Sequence, residues 1–329
     1  MSRLSVLRVL SLSLFLGSPL PASAQPLLSP AELSARLSEP RLRVVDIRDG
    51  KDDAGSTPYE AGHIAGALSA PYSKWRGPKD NPGKLPSEDA LATVIQKLGI
   101  DAATPVVVVY EGANATDFGA AARVYWTLKA AGVHNLSILN GGVKAWRAAN
   151  LPLTTEAATV APSRYTVKID PKLVATQEEV ARVLGNKRWR LLDARPAAYF
   201  LGETRHVAAK TPGTLAGAKN VDNAVWFAKG SGALLPASDV KRIAREAGVQ
   251  ADQPTVSFCN TGHWAATNWF VLSEVLGQTD VKLYSESTVG WSNAELPMAN
   301  VPSRIAQFWL QLKETTGNLG PVLFPPWRG

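Results

Sequence analysis

Cysteine is nearly absent from this chain: 329 residues carry one, Cys259. A single cysteine excludes an internal disulfide and leaves one free thiol to be explained. Histidine is also scarce, and none of the four shows metal-ligand spacing, so neither a metal nor another cofactor is expected. The formal charge of +7 is built without any run of lysine and arginine. That gives nucleic-acid binding little support and remains compatible with small anionic substrates. No apolar stretch is long enough to cross a bilayer as a helix, since the run from Val9 to Leu16 is far short of that, and no stable membrane anchor is expected.

What that N-terminal stretch does fit is a secretory signal. Arg3 and Arg8 precede the apolar run, and Ala22-Ser23-Ala24 supplies the small residues that a signal peptidase reads before Gln25. Residues 1–24 are therefore expected to be removed on export, which places the protein in the periplasm and lowers the formal charge to +5. The remaining length suggests two domains.

The lone cysteine lies in PTVSFCNTGHWAATNWFVLSEVLG, residues 254–277. Thr255, Val256 and Phe258 read as a short buried strand, and the segment from Trp264 to Leu276 has apolar residues at helical spacing. Between them, Cys259-Asn260-Thr261-Gly262-His263-Trp264 forms a tight loop in which Gly262 lets the backbone turn and its amides face inward. A lone cysteine is most often a small buried apolar residue. One at the carboxyl end of a strand and before a helix N-terminus is instead set where parallel α/β sheets bind ligands. Such settings lower a thiol pKa from ~8.5 to between ~3.5 and 7.5. Cys259 is accordingly the expected nucleophile, with the amides of residues 260–264 as an anion cradle.

Internal repetition decides the architecture. Arg43-Val44-Val45-Asp46-Ile47-Arg48 recurs as Arg190-Leu191-Leu192-Asp193-Ala194-Arg195, and Gly62-His63-Ile64-Ala65-Gly66-Ala67 recurs as Gly213-Thr214-Leu215-Ala216-Gly217-Ala218. Residues 105–146 then parallel residues 254–291 as strand, loop, helix, strand, loop. Each half alternates short strands with helices, which predicts an α/β fold of two homologous domains, each a mostly parallel sheet with helices on both faces. The expected boundaries are 25–150 for the first domain, 151–171 for a linker and 172–300 for the second domain. A tail at 301–329 would carry a helical stretch near residues 305–312. The alignment sets Tyr110 opposite Cys259, and a tyrosine cannot do the work of a thiolate. The first copy should be inactive.

This pattern resembles the tandem-domain rhodanese family of sulfurtransferases. The motifs that carry the resemblance are Asp-x-Arg at both domain starts, Gly-His-Ile-x-Gly-Ala at 62–67, Leu-Asn-Gly-Gly-Val-Lys-Ala-Trp at 139–146 and Cys-x-x-Gly at 259–262. The resemblance implies a persulfide on Cys259, loaded from a small sulfur donor such as thiosulfate. A thiophilic acceptor then unloads it: cyanide, a small thiol or the cysteine of an acceptor protein. Three departures bear on the donor. Asn260 and Thr261 stand where thiosulfate-preferring members often carry basic residues, the same two residues also miss the glycine followed by a small residue that is usual in mercaptopyruvate-type members, and Tyr199 stands where the family commonly has a second substrate-binding arginine.

The remaining candidates have two readings each. Asn260, Thr261, Gly262, His263 and Trp264 are placed to bind substrate. His263 could also move a proton, and Trp264 could simply wall the pocket. Arg195 could hold an anionic donor or form a structural ion pair with Asp193. His63, aligned with Thr214, reads as structural, and the ten tryptophans read as packing. Two rival functions follow from the same loop. A cysteine phosphatase would need an arginine closing it, where Ala265 and Ala266 stand instead. A non-catalytic sulfur carrier delivering sulfur to a partner would need nothing more than is present.

Overall fold

The computed structural model describes residues 25–249, 253–303 and 305. The expected signal peptide therefore lies outside the described residues, as does all of the expected tail helix beyond Ile305. The first domain builds a five-stranded, wholly parallel sheet from β1 (Leu27–Leu28), β2 (Arg43–Asp46), β3 (Leu68–Ser69), β4 (Val106–Val109) and β5 (Leu136–Leu139), in the order β1-β5-β4-β2-β3. The second repeats it with β6 (Arg190–Asp193), β7 (Lys219–Asn220), β8 (Thr255–Phe258) and β9 (Val281–Leu283), in the order β7-β6-β8-β9. The counterpart of β1 shrinks there to one parallel bridge, Val174 to Leu283. Val106–Val109 and Thr255–Phe258 are buried throughout, as continuous runs in central parallel strands must be.

The repeated Asp-x-Arg pairs do the same job in both halves. Asp46 binds Arg48 through both carboxylate oxygens, and the Arg48 Nη2 also donates to the Gly62 carbonyl at 2.7 Å. Asp193 binds Arg195 likewise, and the Arg195 Nη2 reaches the Gly213 carbonyl at 2.7 Å. His63 is buried, stacked on Tyr59 and bonded to the Tyr59 carbonyl, while its counterpart Thr214 caps Asp193. Both are structural, as the alignment suggested. Trp75, Trp126, Trp146, Trp226, Trp269 and Trp291 are fully buried packing residues.

The domains meet through the helix Ala115–Ala130 of the first and the helix Trp264–Phe270 of the second. The first of these is buried on nearly every side because it lies between its own sheet and the other domain. Phe118 and Tyr125 meet the Phe270 ring edge-on at 5.5 and 5.0 Å, and the Tyr125 hydroxyl and Lys129 ammonium both bind Glu274 across the seam. One apolar cluster accordingly runs through both sheets, from Val45 to Leu283, and includes Cys259. The segment 151–171 is no free tether. Thr154 bridges to His63, the Tyr165 carbonyl accepts from Gln96, and the Asp170 amide donates to Ala130, so it straps the first domain.

Candidate active site

Cys259 directly follows β8 and is 1% exposed. The six-residue loop behind it is held by the first side chain of the helix Ser287–Asn293, which follows β9. Ser287 Oγ accepts from the Cys259 amide at 3.0 Å and from the Gly262 amide at 3.1 Å, and donates to the Tyr284 carbonyl at 2.8 Å. To do so Ser287 adopts φ +53, a left-handed conformation that costs a non-glycine residue roughly 1–2 kcal/mol. Two further bonds brace the same loop, Thr288 amide to Cys259 carbonyl at 3.1 Å and Val289 amide to Asn260 carbonyl at 3.0 Å. In the first domain Val143 donates to Tyr110 and Lys144 to Glu111 in the same way. The geometry thus pairs Tyr110 with Cys259 and Gly142, at φ +60, with Ser287.

The amides of Asn260, Thr261, His263 and Trp264 donate to no described residue. Buried backbone donors without acceptors are rare in folded proteins. Four unused donors in one short loop, two of them on the buried residues Asn260 and Thr261, form a cluster available to an anion. Gly262 does not join them, because its amide is taken by Ser287. Its φ of +67 and its surroundings both demand glycine, since a methyl group there would stand 2.5 Å from the Ser285 carbonyl oxygen.

The other residues singled out in the sequence are placed as follows. Asn260 and Thr261 are buried at 4% and 7% exposure. The Asn260 side chain faces inward, its Oδ1 accepting from Arg195 Nη1 at 3.2 Å and lying 3.3 Å from the Thr288 hydroxyl. Arg195 is therefore engaged by Asp193, Gly213 and Asn260 together, and it braces the loop from behind. His263 has both ring nitrogens committed to the first domain. Nε2 lies 2.7 Å from the Thr116 carbonyl, which can only accept, so Nε2 carries the proton and Nδ1 accepts from the Tyr72 hydroxyl at 2.8 Å. Burial, with the charges of Arg76 and Arg123, pushes the His263 pKa down to about 4 and keeps the ring neutral. Trp264 is half-buried, donates to Thr116 Oγ1 at 3.2 Å and meets the Tyr199 ring edge-on.

Sequence reading missed what the first domain contributes. Residues 72–84 lie over the cysteine loop: Tyr72 on His263, Asn81 on Glu286, and Gly83 so close that an added methyl would stand 2.3 Å from the Ser285 carbonyl oxygen. Half-buried Arg76 donates to the Tyr72 hydroxyl at 3.0 Å and has no carboxylate partner among the described residues. Arg123, fully buried in the helix Ala115–Ala130, donates to the carbonyls of Thr261, Gly262 and Gly83. The second domain returns the cover. Gly232 lies against Gly112, Leu234 and Asn140 exchange two hydrogen bonds, and Gly232 accepts from the Tyr110 hydroxyl at 2.5 Å.

Comparison with known proteins agrees with this duplication. Residues 29–149 and 176–294 each match the model of the Rhodanese-like domain. The chain is 31% identical over 238 residues to the 3-mercaptopyruvate sulfurtransferase of Rattus norvegicus, covering 71% of this chain and 78% of the relative. It is 28% identical over 289 residues to a putative thiosulfate sulfurtransferase of Synechococcus elongatus, covering 84% and 86%. Among solved structures, SseA of Escherichia coli, described as a 3-mercaptopyruvate sulfotransferase, superposes with a TM-score of 0.69 at 24% identity, over 80% of this chain and 99% of that one.

Proposed function

Because this chain belongs to the rhodanese-like family, we propose that it moves sulfane sulfur from a small anionic donor such as thiosulfate to a thiophilic acceptor through a persulfide on Cys259. It is a sulfurtransferase. The observation that carries the choice of residue is the set of four unused amides, at Asn260, Thr261, His263 and Trp264, beside a buried thiol whose own amide is pinned by Ser287.

In the first step the Cys259 thiolate attacks the outer sulfur of thiosulfate. A Cys259–sulfur bond forms, the sulfur–sulfur bond of the donor breaks, and sulfite leaves with the electron pair. The terminal sulfur of the persulfide is anionic, and the loop amides are aimed at that charge. In the second step cyanide or a thiolate attacks the terminal sulfur and Cys259 leaves as thiolate again. Charge is conserved at each step, so no proton has to move at the sulfur and His263, held neutral with both ring nitrogens already bonded, is not called upon. Arg76, lacking a carboxylate partner above the loop, is the cation that an incoming anionic donor meets.

The first domain works as a cover: Tyr110 fills the position of the nucleophile, and Glu111 in its loop and Asp117 in the first turn of the helix that follows stand where an anion site would need the opposite charge. Export to the periplasm, with residues 1–24 removed, belongs to the same reading. Mass spectrometry of purified protein after exposure to separate donors tests it. One sulfur should be gained, on Cys259, and be discharged by cyanide. Repeated discharge with thiocyanate accumulating separates an enzyme from a carrier that loads once.

A further inference from the structure

Arg123 is a charge without an evident reason in its own domain. It sits in the middle of the helix Ala115–Ala130 at 0% exposure, bonded only to three backbone carbonyls, with its Nε unpartnered and its guanidinium 5.1 Å from the Trp126 ring. No carboxylate pairs with it among the described residues. A buried guanidinium is expensive unless an anion compensates it. Two of its three carbonyls, those of Thr261 and Gly262, belong to the cysteine loop of the other domain.

We infer that Arg123 is a positioning residue for sulfur transfer, supplied across the domain seam: it draws the Thr261 and Gly262 carbonyls outward and serves as the fixed counter-charge of the anionic sulfur on Cys259. This rests on Cys259 being the sulfur-carrying residue. The site holds one negative charge on sulfur as thiolate and again as persulfide, so the cation is needed throughout the cycle rather than at one step. Burial and the charge of Arg76 pull the Arg123 pKa down to about 9, and the charges of Tyr72, Cys259 and Glu286 act in the opposite direction. The groups facing it are thus Tyr72 and Arg76 from the 72–76 turn, Cys259 and His263 from the loop, and Glu286 from the loop after β9. Only Cys259 changes partner in the reaction. The arrangement also gives the first domain a chemical task although it carries no nucleophile.

The test follows the rate of Cys259 alkylation by iodoacetamide against pH in wild type, Arg123→Lys and Arg123→Gln, each checked by its melting curve. Arg123→Gln should move the profile to higher pH by about one unit, which is about a tenfold loss of rate on its rising limb. Arg123→Lys should recover most of that loss. A folded Arg123→Gln protein with the wild-type profile overturns the inference. Should Arg123→Gln not fold, the native arginine can be probed from the other side. Cys259→Asp, which keeps an anion there, should melt above Cys259→Ala at neutral pH, and equal melting overturns the inference. Neither readout requires sulfur transfer. A wild type that never loads sulfur would instead sink the persulfide reading alone.

Discussion

Tyr110 and Cys259 occupy the same place, the first residue after β4 and after β8, and only the tyrosine reaches out of its domain, its hydroxyl donating to the Gly232 carbonyl and accepting from the Gly141 amide. Tyr110→Phe leaves that buried carbonyl and amide unpaired. The loss should be about 1–3 kcal/mol of stability, read from denaturant unfolding, with sulfur transfer retained. Wild-type stability in this variant would show that the bond across the seam contributes nothing.

Cys259→Ser should fold and melt like wild type yet lose sulfur transfer altogether, because a hydroxyl is neither the nucleophile nor a carrier of a second sulfur. Thiocyanate formation from thiosulfate and cyanide is the measurement. Turnover that survives the substitution removes Cys259 from the mechanism.

Ser287 separates strain from bonding. Ser287→Gly relieves the left-handed conformation but releases the Cys259 and Gly262 amides, whereas Ser287→Ala keeps the strain and loses the same bonds. Both should cut kcat/KM for thiosulfate by tenfold or more, and the alanine variant should be less stable to unfolding than the glycine variant by about 1 kcal/mol. If glycine proves fully active, the Ser287 brace is dispensable.

Arg76→Gln should raise KM for thiosulfate with less effect on kcat. The loss of one charge-assisted contact, worth roughly 1.5–3 kcal/mol, is about one to two orders of magnitude in capture. The difference from wild type should shrink at high salt if the contact is electrostatic. An unchanged KM would return donor binding to the loop amides alone.

His263 makes the domain seam sensitive to acid. Its pKa falls from the ordinary 6.5 to about 4 on folding, so between those values the unfolded chain binds the proton more readily than the folded one. Stability contributed by the neutral ring is present above pH 6.5 and is lost as pH drops toward 4, by at most about 3 kcal/mol. Melting temperature should decline across that window in wild type and decline less in His263→Gln.

The repeats made the two sheets legible, because apolar strands ending in Asp-x-Arg and glycine-bounded turns leave the same trace each time they occur. The cysteine loop was legible for a related reason: strand, glycine and helix follow each other within a few residues. The supports of that loop were not. Ser287 comes from the start of the helix after β9, and one extra residue between Leu283 and Trp291 hides its equivalence to Gly142. Arg123 and the Thr261 carbonyl it binds are 138 positions apart. The only local sign was a charged residue inside the otherwise apolar stretch from Phe118 to Tyr125. The sequence left His263 open between substrate binding and proton transfer because nothing nearby in it announces Tyr72 or Thr116.

The reciprocal glycines at the seam bear on how such a chain can change over generations. Gly83 and Gly232 each lie where the other domain's backbone leaves no space for a methyl group, one against Ser285 and Glu286 beside the cysteine loop and one against Gly112 beside its tyrosine counterpart. Neither half can drift at that face without a matching change in its twin, so the copies are bound to diverge as a pair. A gene split within the strap at 151–171 would therefore yield two products that must find each other to bury the aromatic residues around Tyr125 and Phe270. The duplication has become one heritable unit, although only one of its halves kept a thiol.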